Sequence, residues 1–300
     1  MTPRPRVTLL VNPAADSGRA GRLSTSVAGR LDRAGTVRVV MAGSAAGTAR
    51  LAQRAVEDSD ALVVLGGDGT VHQVLPALAG TDVPLGIVPA GTGNDSAASL
   101  GLPRDPLAAA DVVADALTQG WARRIDLGRA QTVSGPRWWL TVLCAGFDSA
   151  VNERANALRW PRGPRRYDVA IAIEAIRLGP RRYTLTLDGV EHVLDATIVT
   201  VCNAPRYGGG KLIAPQARLD DGIFEVCVVA PVSRWTLARL APTLERGGHV
   251  GHPAVTFHRA TRVGLSADRP AYADGERIGA LPLQTECVPA ALTVLAPPGR

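Results

Sequence analysis

Between residues 6 and 125, short β-branched and aliphatic runs alternate with longer stretches of helical periodicity, and this constrains the fold more than any other feature of the chain. Strands separated by helix-length segments cannot turn back in tight hairpins, so the pattern reads as βαβ units building a parallel sheet. The runs predict strands over 7–11, 37–41, 61–65 and 84–88, with helices over 19–34, 48–57, 70–78, 96–100 and 107–118.

After Asp126 the regular alternation stops. Strand-like runs at 139–144, 182–187, 197–202, 223–229, 255–257 and 262–265 follow, with tight turns such as Asp188-Gly189, a dipeptide suited to a two-residue hairpin. Amphipathic helices over 167–178 and 234–244 interrupt them. The expected fold is α/β: an N-terminal parallel-sheet nucleotide-binding domain over 1–126 and a C-terminal β-sandwich-like domain over 127–288. The segment 289–300 is a candidate to return to the first domain. A chain of 300 residues that is 46% hydrophobic has enough apolar surface for two such cores.

Composition narrows the classes of function. No apolar run approaches the roughly 20 residues of a membrane span, and Met1 to Arg6 hold prolines and arginines where a leader would be apolar. The expectation is a cytoplasmic protein whose membrane contact is peripheral. Cys144, Cys202, Cys227 and Cys287 lie far apart in apolar runs without metal-ligand spacing and read as buried thiols. The formal net charge of +6 is almost wholly arginine, Lys211 being the only lysine. Arg154, Arg159, Trp160, Arg162, Arg165 and Arg166 form a basic stretch with an aromatic inside it, read as a solvated helix end or as a lipid-headgroup contact. Nucleic-acid binding has no fold-level support.

The chemistry is expected at the strand ends. The run 61–65 leads into Gly66-Gly67-Asp68-Gly69-Thr70 and then a helix. Glycines at such a turn let backbone N–H groups close on phosphate oxygens, and the helix N-terminus favours the anion. The loop is neither a GxxxxGK[ST] phosphate loop nor a GxGxxG fingerprint, and alone it could be a tight turn with Asp68 as a cap. Two further strands end in similar loops, Asn12-Pro13 through Asp16-Ser17-Gly18 and Gly91-Thr92-Gly93-Asn94-Asp95. In an open parallel sheet the carboxyl ends share one edge, so the three loops can converge on one crevice.

Taken in order, these three loops resemble the diacylglycerol kinase catalytic domain of the bacterial lipid kinases. The resemblance continues through 143–148 (LCAGFD), 203–210 (NAPRYGGG) and 220–222 (DDG), and ends at Asp274-Gly275-Glu276. It covers nearly the whole chain and is far more specific than the GGDGT loop, which NAD kinases and phosphofructokinases share.

The resemblance implies roles. Gly66, Gly67, Asp68, Gly69, Thr70, Val71 and His72, with Gly91, Thr92 and Asn94, would hold ATP, and Asn12 and Ser17 would flank its phosphates. Asp68 would reach the phosphate-bound Mg²⁺ or orient the acceptor hydroxyl. Glu276 matches the proton-accepting glutamate of the family. Asp221, with the backbone carbonyls of Arg218 and Ile223, falls where the family binds a structural Mg²⁺, a donor set suited to a hard cation. Two positions depart from the family pattern: Gly43 and Ser44 stand where relatives tend to carry a threonine that contacts ATP, and Ser96 stands where a phenylalanine is usual.

The function implied is ATP-dependent phosphorylation of a lipid hydroxyl, diacylglycerol to phosphatidic acid, with the lipid met at a membrane surface. A homodimer is compatible with it. The alternatives are a kinase of a sphingoid base or of NAD, and a non-catalytic nucleotide-binding regulator.

Overall fold

The computed structural model describes residues 3–16, 18–158, 160, 165–177 and 179–297. Ser17, Arg159, Arg162 and Leu178, each named or spanned in an expectation above, lie outside the described residues. The chain divides into one unit of residues 1–127 and 289–300 and another of residues 128–288.

The first unit contains β1 (Arg6–Val11), α1 (Arg19–Leu31), β2 (Thr36–Met41), α2 (Ala45–Asp58), β3 (Ala61–Gly66), α3 (Asp68–Leu78), β4 (Leu85–Pro89), α4 (Asp95–Ser99) and α5 (Pro106–Gln119). The four strands run parallel in the order β2-β1-β3-β4, with the last strand of the chain beside β4. β3 is buried along its whole length, as a strand covered on both faces must be, which is why its sequence is continuously apolar. β2 lies at the edge and leaves Val39 and Met41 exposed. Alternation along the strands sends Leu9, Val63 and Leu65 to the face covered by α1 and α5. α2 and α3 pack together and against β3. The helix ends obey local chemistry: Asp105 Oδ1 accepts from Ala108 N (2.9 Å) with Pro106 in the first turn of α5, and Gly120 stops that helix at φ 70°.

The second unit contains the end of β5 (Ala122–Thr132), then β6 (Gly135–Trp139), β7 (Val142–Gly146), α6 (Phe147–Ala157), α7 (Arg165–Ile176), β8 (Arg181–Leu187), β9 (Val190–Ala196) and β10 (Ile198–Cys202). There follow β11 (Arg206–Tyr207), β12 (Lys211–Leu212), β13 (Phe224–Val229), α8 (Arg234–Leu240), β14 (Val255–Ala260), β15 (Arg262–Ser266), β16 (Pro270–Ala273), β17 (Glu276–Ala280) and the start of β18 (Leu283–Leu295), whose remainder lies in the first unit. One antiparallel sheet has the order β14-β13-β10-β7-β16-β17. The other has the order β18-β15-β8-β9, with β5 pairing β18 and β6. This is the expected sandwich, and the predicted Asp188-Gly189 turn is present with φ 46° and 92°.

Trp139 anchors the apolar layer between the sheets. It is fully buried, stacks on Phe224 at 5.0 Å between ring centroids, and donates Nε1–H to Thr285 Oγ1 at 3.0 Å. Its indole lies over Gly128, its partner across β5 and β6. A Cβ at Gly128 would sit 1.9 Å from Trp139 Cε2.

Three expectations are corrected. The single strand over 139–144 is two, β6 and β7, because Leu140 and Thr141 turn their N–H groups to the Asp274 carboxylate at 2.9 and 2.8 Å. The helix over 234–244 is α-helical only to Leu240 and continues as a 3₁₀ turn from Ala241, since Pro242 has no N–H to give the preceding turn. Arg154 is not part of a solvated basic run: its Nε pairs at 2.9 Å with the buried Glu174, tying α6 to α7. The helix α6 was not anticipated, because its buried face is built of Ser149, Ala150 and Ala155 with Val151 and lacks a strong apolar stripe. All four cysteines are free and buried. No helix among the described residues is long and apolar enough to cross a membrane.

Overpacking beneath the indole gives a direct test of this core. Gly128→Ala is expected to lower unfolding free energy by about 3 kcal/mol in urea titrations, and Trp139→Phe added to it recovers part of the loss.

Candidate functional site

In the order β2-β1-β3-β4 the chain leaves β1 towards one side for β2 and returns on the other side for β3, so the topological switch lies between β1 and β3. Adjacent loops diverge there, which opens a crevice at the carboxyl edge of an open parallel sheet. Asn12, just past β1, crosses that point: its Nδ2 donates to Thr70 Oγ1 at 3.1 Å, and its Oδ1 accepts from Ala14 N at 3.1 Å. Thr70 is buried in the first turn of α3.

The glycines are here for close approach. A Cβ on Gly66 would lie 2.7 Å from Thr70 Oγ1, and one on Gly91 would lie 2.5 Å from the Cα of Gly67. The loops after β3 and β4 therefore touch backbone to backbone, and Ala90 N donates to Gly66 O at 2.8 Å. Gly67 caps α3 in an extended conformation without a side-chain cap. The first N–H groups of a helix have no acceptor within it and carry the positive end of its dipole, so this turn is suited to an anion.

Asp68 binds backbone. Its Oδ1 accepts from Ser96 N at 2.9 Å and its Oδ2 from Asp95 N at 3.1 Å, so it holds the start of α4, and Gly93 has no room for a Cβ beside it. Asn94 sits in the left-handed region at φ 59°, accepting from Gly91 N (2.9 Å) and donating to Gly91 O (2.7 Å). That ring leaves Thr92 exposed at the loop tip, while His72 lies half-buried one turn into α3. The structure thus brings together Asn12, Gly66 to Val71, Gly91 and Asn94, with Thr92 at the rim. Ser44 is used locally: its Oγ accepts from Gly47 N at 3.2 Å as the cap of α2.

Glu276, Arg218, Asp221 and Ile223 belong to the second unit. Asp274 and Gly275 have φ of 52° and 82°, a turn with both central residues left-handed, and Glu276 follows as the exposed first residue of β17. The Asp274 carboxylate anchors the turn, accepting from Leu140 N, Thr141 N and Thr141 Oγ1 at 2.9, 2.8 and 2.6 Å. Asn203 secures the same bend, donating Nδ2–H to Leu140 O at 2.8 Å. Sequence reasoning took both residues as motif members without seeing this framework; the signal available was an aspartate in a left-handed turn before glycine. Asp221 faces Arg259 at 2.9 Å and accepts from Ile223 N at 3.3 Å, while the buried Glu225 meets the same guanidinium at 3.2 Å. Burial holds the Glu225 carboxyl above its ordinary range. Among the described residues no three His, Cys, Asp or Glu side chains gather as a metal cage.

Asp148, at the start of α6, is a functional candidate the residue-by-residue reading did not single out. It is buried, accepts from Thr200 Oγ1 at 3.0 Å, and burial raises its pKa to about 6.

Comparison with known proteins matches this geometry to a family. The description "Diacylglycerol kinase catalytic domain" matches residues 6–130, and "YegS C-terminal NAD kinase beta sandwich-like domain" matches residues 141–296. A diacylglycerol kinase of Mycobacterium tuberculosis is 44% identical over 298 residues, covering 97% of this chain and 95% of the relative. One from Staphylococcus carnosus is 28% identical over 292 residues, covering 93% and 91%. Among solved structures, one from Bacillus anthracis superposes with TM-score 0.80 at 22% identity, covering 98% of this chain and 97% of that one. A second, named a diacylglycerol kinase from the same organism, gives 0.73 at 20% over the same shares.

The buried carboxyl predicts a pH effect. Because the folded value of Asp148 is raised from 3.8 to about 6, its contribution to stability is complete below about pH 4 and lost as pH rises through 6, a change of about 3 kcal/mol. Asp148→Asn cannot ionise, so its stability relative to wild type rises between pH 4 and 6 by about 1.4 kcal/mol per pH unit in urea titrations. A difference independent of pH would contradict the assignment.

Proposed function

Because this chain belongs to the bacterial diacylglycerol kinase family, whose members are ATP-dependent lipid kinases, we propose that it phosphorylates diacylglycerol to phosphatidic acid. The observation that carries the reading is the backbone contact of Gly67 with Gly91 beside the Asn12 to Thr70 bridge at the sheet's switch point. In this reading the N-terminus of α3 faces a phosphate chain, Gly66 to His72, Thr92 and Asn94 surround the nucleotide, and Asn12 and, by its place in the family motif, Ser17 flank the phosphates. The acceptor hydroxyl forms a bond to the γ-phosphorus as the bond to the bridging oxygen breaks, ADP leaving with that electron pair, and Glu276 takes the hydroxyl proton. Phosphoryl transfer depends on positioning and charge stabilisation more than on covalent chemistry, so a rigid phosphate cradle is what such a site needs.

Asp68 has two roles in this reading. Its bonds to Asp95 and Ser96 hold the cradle closed, and its remaining lone pairs would help hold the cation that accompanies ATP. Mg²⁺ bound there would offset the charge of the transferring group. In the second unit, the Asp221 carboxylate with the carbonyls of Arg218 and Ile223 offers oxygen donors of the type a hard cation takes. Arg259 already neutralises that carboxylate, so a cation would compete with it.

The lipid is met at a bilayer surface. Trp160, ahead of α7, is 81% exposed and Ile176 at the end of α7 is 76% exposed, and Arg166 lies over the Tyr167 ring at 5.3 Å, so the chain from Trp160 through α7 presents apolar and basic groups. Such a surface suits peripheral contact with anionic lipid.

Radiolabelled ATP offered with diacylglycerol, a sphingoid base and NAD is expected to label diacylglycerol alone; labelling of another acceptor in its place overturns the substrate assignment. Glu276→Gln keeps shape and removes basicity, so kcat should fall by about 10²-fold or more with ATP affinity unchanged. Full kcat in that variant would transfer the proton-accepting role to Asp68. For the cation, Asp221→Asn should abolish Mg²⁺-dependent stabilisation in thermal melts, and Arg259→Gln should strengthen it. An unchanged Mg²⁺ response in both leaves Asp221 as a turn residue.

A further inference from the structure

In the second unit, Arg177, Arg181 and Arg269 line one recess together with Gly146, Phe147 and Thr197. Among the other arginines of this unit, Arg154 is paired with Glu174 and Arg259 with Asp221 and Glu225. These three guanidiniums have no ion pair or hydrogen bond among the described residues. The one carboxylate in the wall, Glu174, is buried and already neutralised by Arg154 at 2.9 Å. The recess is therefore positive by three charges.

At its floor Gly146 and Phe147 begin the eleven-residue α6, with the buried Asp148 in the first turn and Phe147 N held by Thr197 O at 3.1 Å, so the positive character of the recess comes from the guanidiniums. Tyr183 marks the same neighbourhood: burial and then the charge of Asp148 raise its pKa, and the charges of Arg269 and Arg181 oppose the shift. Its hydroxyl donates to Ala145 O at 3.0 Å, on the strand that leads into this floor. Arg269 is half-buried, so its charge belongs to the wall more than to open solvent. Three like charges left together cost the folded protein repulsion that an anion removes.

The recess is small and open, so an anion would be met at its mouth, against the guanidiniums, and not inside it. Guanidiniums are the groups proteins use for phosphate oxygens.

We propose that this recess is a second anion site, in which Arg177, Arg181 and Arg269 bind the phosphate of a phosphoester at the start of α6. The phosphate belongs either to an anionic phospholipid headgroup or to a free phosphate ester. The site is independent of phosphoryl transfer and follows directly on the α7 surface, sharing none of its residues.

The test uses the full-length protein without ATP. Co-sedimentation with phosphatidylcholine vesicles, with and without phosphatidylglycerol, is compared for wild type and Arg181→Gln/Arg269→Gln, alongside thermal melts in glycerol 3-phosphate. The double variant should lose about fivefold per arginine removed in binding to phosphatidylglycerol vesicles, or lose the thermal shift given by glycerol 3-phosphate. Loss with vesicles alone assigns the phosphate to a lipid headgroup; loss of the thermal shift assigns it to a free ester. Wild-type behaviour of the double variant with both probes overturns the site, as does an equal loss in Arg239→Gln, which removes an exposed charge on α8. If Trp160→Ser abolishes vesicle binding while the double variant matches wild type with both probes, the membrane contact stands and the recess falls.

Discussion

At the carboxyl edge of the parallel sheet, the backbones of Gly67 and Gly91 come so close that a methyl group on Gly91 would meet the Cα of Gly67 at 2.5 Å. The geometry of the first unit's site depends on that contact. It brings the loop after β4 against the loop after β3, which puts the N–H groups of Asp95 and Ser96 within reach of Asp68 and leaves the first turn of α3 facing the crevice. Asn12 closes the third side by bonding Thr70 across the switch point. Only glycine permits this approach, because any Cβ would separate the two loops.

The second unit uses a different constraint for a similar end. Its apolar layer is organised by Trp139, which can be buried only because Gly128 opposite has no side chain. Directly after Trp139 the chain must bend, and the bend is secured by Asp274 and Asn203, two residues from motifs that the sequence presents as chemical. Several acidic residues of the motifs serve as architecture: Asp68 and Asp274 both accept backbone N–H groups that would otherwise lack partners. A carboxylate spent in this way still positions its neighbours, and Glu276 stands where it does because Asp274 is anchored two residues earlier.

Legibility differed between the halves for a physical reason. In β1, β3 and β4 burial on both faces forces continuous apolar runs, and the intervening helices must be amphipathic, so the elements could be read from local pattern. The run at 139–144 is equally apolar, yet it breaks at Leu140, because a carboxylate 134 residues away in the chain competes for its N–H groups. No local pattern contains that partner. The helix α6 escaped notice since small residues, not a stripe of large ones, fill its buried face.

What the sequence by itself determined is the parallel α/β plan, the sandwich that follows it, the three glycine-bearing strand ends and the ordered motifs that mark the family. These follow from side-chain period and turn chemistry, which act over a few residues. Tertiary structure alone decided which polar side chains became framework and which stayed exposed. It paired Arg154 with Glu174 and Arg259 with Asp221 while leaving Arg177, Arg181 and Arg269 around one recess without an ion pair among the described residues. Hydrogen bonds and ion pairs are satisfied by whichever group the fold brings within about 3 Å, and that choice is made by packing across the chain.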